Sequence, residues 1–110
     1  MAYDEALAQI LRDDLRGEDA REQKMFGGLC FLMRGNMVAG VYSGGGMFRI
    51  AKEDRAAALA VPGAAPILMG KAGREMAGMV GLAAEAMPDD AARARLLGMA
   101  LGLVRTLPPK

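Results

Sequence analysis

The sequence predicts a two-layer α+β domain, with an antiparallel five-stranded sheet in the order helix, three strands, helix, two strands, helix. Three observations carry this reading. The stretch Lys24 to Ile50 is apolar and is divided by glycine-containing turns too short to join anything but antiparallel neighbours. Both ends of the chain carry apolar residues at helical spacing. Ile67 to Leu82 reads as a second hairpin, so the helices have one sheet to cover.

In chain order, Tyr3, Leu7, Ile10, Leu11 and Leu15 form one helical stripe, with Asp4, Glu5, Arg12, Asp13, Asp14 and Arg16 on the other faces. The acidic start suits the positive end of the helix dipole, and Gly17 is placed to end the helix. Glu18 to Gln23 is polar and aperiodic and is expected to be a surface connection. Lys24 to Met33 holds Gly27 and Gly28, each costing about 1 kcal/mol relative to alanine in a helix, so it is expected to be a strand. It is apolar at odd and even positions alike. Such a strand is covered on both faces, one by helices and the other by a further element or a second subunit.

Gly35-Asn36 is the expected first turn, Met37 to Tyr42 the second strand, Ser43 to Gly46 the second turn and Met47 to Ile50 the third strand. Ala51 to Ala60 predicts a short helix closed by Val61-Pro62-Gly63. Ile67 to Met69 and Glu75 to Leu82 then pair across a turn at Gly70 to Gly73. Pro88, Asp89 and Asp90 open the longest helix, whose buried stripe is Leu96, Leu97, Ala100, Leu101, Val104 and Leu107. Gly98 and Gly102, one turn apart, offer a place for another backbone to approach.

Composition narrows function mainly by exclusion. The 110 residues are expected to form one domain, and 14 basic against 13 acidic residues give no net pull toward nucleic acid or anionic membrane. No apolar run reaches the roughly 20 residues of a membrane span, and the acidic beginning is unlike a signal peptide, so a cytoplasmic protein is expected. There is no histidine, the commonest general base and metal ligand, and the single cysteine excludes an intramolecular disulfide. Ten methionines fill much of the core or provide an adaptable surface.

Several motifs around the meander and the last hairpin resemble the TfoX N-terminal domain family. They are Lys24-Met25-Phe26-Gly27-Gly28, Gly35-Asn36-Met37 with Gly40-Val41, Arg49, Pro62-Gly63-Ala64-Ala65-Pro66 and Gly73-Arg74-Glu75-Met76-Ala77-Gly78. The final Leu107-Pro108-Pro109-Lys110 is similar too. The resemblance extends over nearly the whole chain and implies a secretion-chaperone-like α+β fold. Longer members resemble regulators of bacterial competence and carry a second, helical C-terminal domain that these residues do not include. The family brings no catalytic residues. Where it often has a bulky aromatic residue, this chain has Met79 and Val80.

The candidate chemistry is correspondingly narrow. Cys30 lies in an apolar strand, which raises a thiol pKa and makes it inert. Glu53 with Asp54, and Asp89 with Asp90, sit at helix beginnings, where dipole complementarity explains them. Gly44 to Gly46 precedes a strand and reads as a turn instead of a phosphate loop. A copper(I) site at Met76 and Met79 is disfavoured because a spacing of three puts them on opposite faces of a strand.

Arg49, within an apolar strand, needs a partner. It either pairs with Glu53, Glu75 or Glu85, or binds an anion in a cleft with help from Lys24 or Arg74. The expected ligand or partner surface is thus Lys24, Met25, Phe26, Gly27, Gly28, Arg49, Arg74, Met76 and Gly78. The overall expectation is a non-enzymatic regulatory or protein-interaction domain with no cofactor or metal, homodimeric, with a protein partner in place of nucleic acid or membrane. The alternative is a module that binds a small anionic or apolar ligand in a methionine-lined pocket with Arg49.

Overall fold

The computed structural model describes residues 3–25, 27–69 and 72–110. The chain runs α1 (Glu5–Asp14), β1 (Ala20–Met25), β2 (Gly28–Met33), β3 (Asn36–Tyr42), β4 (Gly45–Arg49), α2 (Arg55–Leu59), β5 (Ala64–Met69), β6 (Arg74–Ala83) and α3 (Asp90–Val104), with 3₁₀ turns ahead of α2 and α3. All strand pairs are antiparallel in one sheet of order β1-β2-β3-β4-β6-β5. The α+β class is as the sequence predicts, with six strands in place of five.

The additional strand is β1, which occupies part of the expected connection. Arg21, Glu22, Gln23 and Lys24 are exposed on it, because an edge strand bonded only to β2 keeps such side chains in water, where they deter pairing by other chains. The apolar run from Lys24 is therefore not one strand. It turns at Gly27, whose φ of 73° is left-handed, and restarts as β2.

Local chemistry explains the other boundaries. Asp4 caps α1 by accepting from the Ala6 amide at 2.8 Å, and Asp89 caps α3 by accepting from Ala91 and Ala92 at 3.0 and 3.3 Å. The β2–β3 turn is Arg34-Gly35, with φ of 53° and 83°, one position earlier than expected. Asn36 instead begins β3, where it is buried and donates to the Pro108 carbonyl at 3.0 Å. Arg34 donates to the carbonyls of Val104 and Arg105, and the Lys110 amide donates to Arg34 at 2.8 Å. The segment after α3 is thereby strapped over the β2–β3 hairpin. Gly70 and Lys71 of the expected last turn lie outside the described residues.

The helices cover one face of the sheet. Leu7, Leu11 and Leu15 of α1 and Leu96, Ala100 and Val104 of α3 pack with Phe31, Val41, Phe48, Val80 and Leu82. A second cluster, Cys30, Met47, Ile67 and Met79 with Met25, Leu32, Met37, Tyr42 and Met76 around it, consists wholly of strand residues. Among the described residues no helix is long and apolar enough to cross a membrane. Gly98 and Gly102 are exposed on α3 with no atom of the described residues within 4 Å of where a side chain would begin, so the expected backbone approach is not found among these residues.

One buried charge joins the helices. Arg93, 7% exposed, donates to Asp14 of α1 at 2.6 and 3.1 Å, to Asp90 at 2.8 Å and to the Met87 carbonyl at 2.8 Å. Urea unfolding is expected to show Arg93→Ala losing about 3 kcal/mol, because three acceptors lose their donor. Asp14→Ala should lose about 1–2 kcal/mol, since Asp90 and Met87 still satisfy the guanidinium. The same measurement should show Gly98→Ala and Gly102→Ala each stabilising the chain by about 0.5–1 kcal/mol, as expected for exposed glycines in a helix interior.

Candidate functional site

The helix-free face of the sheet carries a cavity of about 280 Å³. Met25 of β1, Leu32 of β2, Met37 of β3, Arg49 of β4 and Met76, Ala77 and Met79 of β6 line it, with Gly35 and Lys110 at one side. Strand register assembles most of this set: Leu32 lies opposite Met37, and Arg49 opposite Met79.

Met76 joins Met79 through a departure from ordinary pleating. The β5–β6 pairing passes from Pro66↔Val80 to Leu68↔Glu75, so β6 holds extra residues opposite Ile67. Gly78, at φ 79°, lies in the excursion, and its carbonyl accepts from the Ile50 amide at 2.9 Å. This irregularity resets the alternation of faces. The expectation that a spacing of three separates Met76 from Met79 is therefore corrected, because both line the same cavity.

Arg49 is half-buried, and among the described residues its guanidinium makes no ion pair and no side-chain hydrogen bond. The expected carboxylate partner is absent among these residues. Glu75 is bound instead to Arg55 at 2.8 Å. The expected helpers are elsewhere too: Lys24 is exposed opposite Leu29 on β1, and Arg74 is exposed opposite Met69 at the start of β6. The second cation at the cavity is Lys110.

Of the surface expected from the sequence, the structure thus gathers Met25, Arg49 and Met76, shaped by Gly78. Gly27 makes a turn, and Gly28 permits close strand approach, since a methyl group there would overlap the Val41 carbonyl. Phe26 lies outside the described residues. Sequence reasoning missed Leu32, Met37 and Lys110. The one available signal was Asn36, a polar residue in an apolar strand, whose partner proves to be the segment that places Lys110.

A larger cavity of about 510 Å³ adjoins the first, sharing Leu32, Gly35 and Lys110, but Asp19, Arg21, Glu22 and Arg34 give it charges of both signs. Arg34 is committed to α3 carbonyls and Glu22 to Arg12. The smaller cavity is the better candidate for a ligand because among the described residues no acidic side chain lines it and its floor is apolar. Among the described residues no three His, Cys, Asp or Glu side chains gather as a metal site.

Fold and cavity define a small α+β domain whose antiparallel sheet is helix-covered on one face and bare on the other. The family model for the TfoX N-terminal domain matches residues 13–102, and the chain belongs to that family. The matched span contains all six strands, while Lys110 lies beyond it. No curated protein and no solved structure matches the chain.

Cys30 is fully buried beneath the cavity-bearing face, and burial pushes its thiol from about 9 up to about 11. The folded chain therefore holds the proton to higher pH than the unfolded chain does. Its contribution to stability is complete below pH 9 and is lost as pH rises through 11, by up to about 3 kcal/mol. Urea midpoints at about pH 8 and about pH 10.5 should differ less in Cys30→Ala than in the unaltered protein.

Proposed function

We propose that this chain is a non-catalytic, cytoplasmic binding domain of the TfoX N-terminal type that works as a homodimer through the helix-free face of its sheet. Its role is regulatory, in line with the competence regulators that longer family members resemble. The observation that carries this reading is the set Met25, Leu32, Met37, Tyr42 and Met76, half-buried side by side on a face to which no helical residue contributes. Contiguous apolar surface marks interaction sites, and methionine adapts to the surface it meets.

A second copy suits this face because 14 basic and 13 acidic residues leave little overall repulsion between chains. The sheet edges are less suitable. β1 presents charges, and β5 carries Pro66, which has no amide proton to donate. Sedimentation velocity is expected to show a dimer at micromolar concentration, and Met37→Glu should weaken it about tenfold or more by burying a charge at the contact. A monomer persisting at high micromolar concentration would count against the reading.

A second reading is favoured by one specific observation, the half-buried Arg49 that has no acceptor among the described residues, beside a methionine-lined cavity. In this reading the domain binds a small ligand on the same face. It requires that apolar or anionic compounds raise the melting temperature of the purified protein, and a screen without any such shift would exclude it.

A further inference from the structure

We propose that the cavity between Arg49 and Lys110 binds an amphiphilic monocarboxylate, an unbranched aliphatic chain of medium length. This rests on the ligand-binding reading above and names the ligand class.

The head group follows from charge. Among the described residues Arg49 and Lys110 are the charged residues lining the cavity. Among the described residues every fully buried side-chain nitrogen or oxygen has a hydrogen-bond partner, so the unpaired guanidinium nitrogens of Arg49 reach solvent at the cavity instead of ending in the core. A guanidinium presents N–H groups in a planar fork that a carboxylate matches with two parallel bonds, and Lys110 adds a mobile second charge. Among the described residues no helix N-terminus borders this space to supply the backbone donors typical of a phosphate site.

The tail follows from the floor. Met25, Leu32, Met37 and Met79 line the space, and among the described residues no aromatic ring does, so none of these residues stacks on a planar ring system. Flexible thioethers instead conform to a flexible chain. A volume of about 280 Å³ is that of roughly nine water-sized groups, which matches a carboxylate of about seven or eight carbons in all.

The test is calorimetry of the whole chain with butyrate, hexanoate, octanoate and decanoate below their micellar concentrations, with octan-1-ol as the neutral control. Affinity is expected to rise about three- to fourfold per methylene up to octanoate and then level off as the cavity fills. Octan-1-ol should bind at least about tenfold more weakly than octanoate. Arg49→Gln should erase that preference while leaving the urea midpoint unchanged, since among the described residues the Arg49 side chain bonds to nothing. Should that variant fold poorly, Lys110→Gln, at the exposed end, should lower octanoate affinity several-fold and leave octan-1-ol unaffected.

Equal binding of octan-1-ol and octanoate overturns the carboxylate assignment while the ligand-binding reading stands. Equal binding of butyrate and octanoate overturns the aliphatic tail. No binding by any member of the series or by the alcohol overturns both the proposal and the reading beneath it.

Discussion

Side chains lying flat on glycine hold the helix-free half of this structure together. A sheet covered by helices on one side must either expose its other face or bury that face against itself. Here Gly40 makes room for Met47: a side chain begun at Gly40 would lie 3.0 Å from the Met47 thioether methyl. Gly81 does the same for Ile67 and Tyr42, whose atoms lie 3.0 and 3.3 Å from the equivalent point. Met47 and Ile67 are each only 2% exposed in consequence. The glycines cost strand stability through backbone entropy and lost packing, a cost of about 1 kcal/mol each, but they let large side chains on neighbouring strands bury apolar area without a third layer. The cavity lies beside this self-covered centre, where Met25, Leu32, Met37 and Met76 remain only half-buried.

The cavity's other side depends on a hairpin at the far end of the sheet. Arg34 adopts φ 53°, unusual for a residue with a side chain and costing about 1–2 kcal/mol. Its compensation is tertiary. From that position its guanidinium reaches two carbonyls at the C-terminal end of α3, which suits the negative end of the helix dipole, and its own carbonyl receives the Lys110 amide. Asn36 adds the bond to Pro108. Pro108 and Pro109, which follow the turns after α3, thus lead the chain back across the β2–β3 turn and set Lys110 next to Gly35. A turn conformation, a helix terminus and a cavity-lining cation are in this way parts of one arrangement.

Legibility in the sequence followed how local each determinant is. The stripes of α1 and α3, the meander and the last hairpin were readable because period and turn chemistry act over a few residues. The edge strand β1 was hidden, since Arg21 to Lys24 alternate no apolar residues and a strand paired on one side requires none. Met76 was placed on the wrong face because a three-residue spacing implies regular pleating, which the irregularity around Gly78 breaks. Arg93 reads as solvent-facing among its neighbours Asp90 and Arg95, and its partner Asp14 lies on α1, at the opposite end of the chain. The importance of Arg49 was visible from its apolar surroundings. Whether a carboxylate answered it was not, because that depends on which acidic residues other arginines had already taken.

The contrast between Arg93 and Arg49 is the strongest physical argument about function. Both are removed from water to a substantial degree, and burying charge is unfavourable unless hydrogen bonds and opposite charge compensate it. Arg93 receives that compensation in full from two carboxylates and a carbonyl, and its effect is to join α1 to α3. Arg49 receives none from the described residues, and an apolar side chain at its position would extend the methionine floor with no desolvation cost. The fold therefore gains little from a guanidinium there. Unlike Arg93, Arg49 has no carboxylate or carbonyl partner among the described residues, and its guanidinium meets solvent at the cavity on the helix-free face of the sheet.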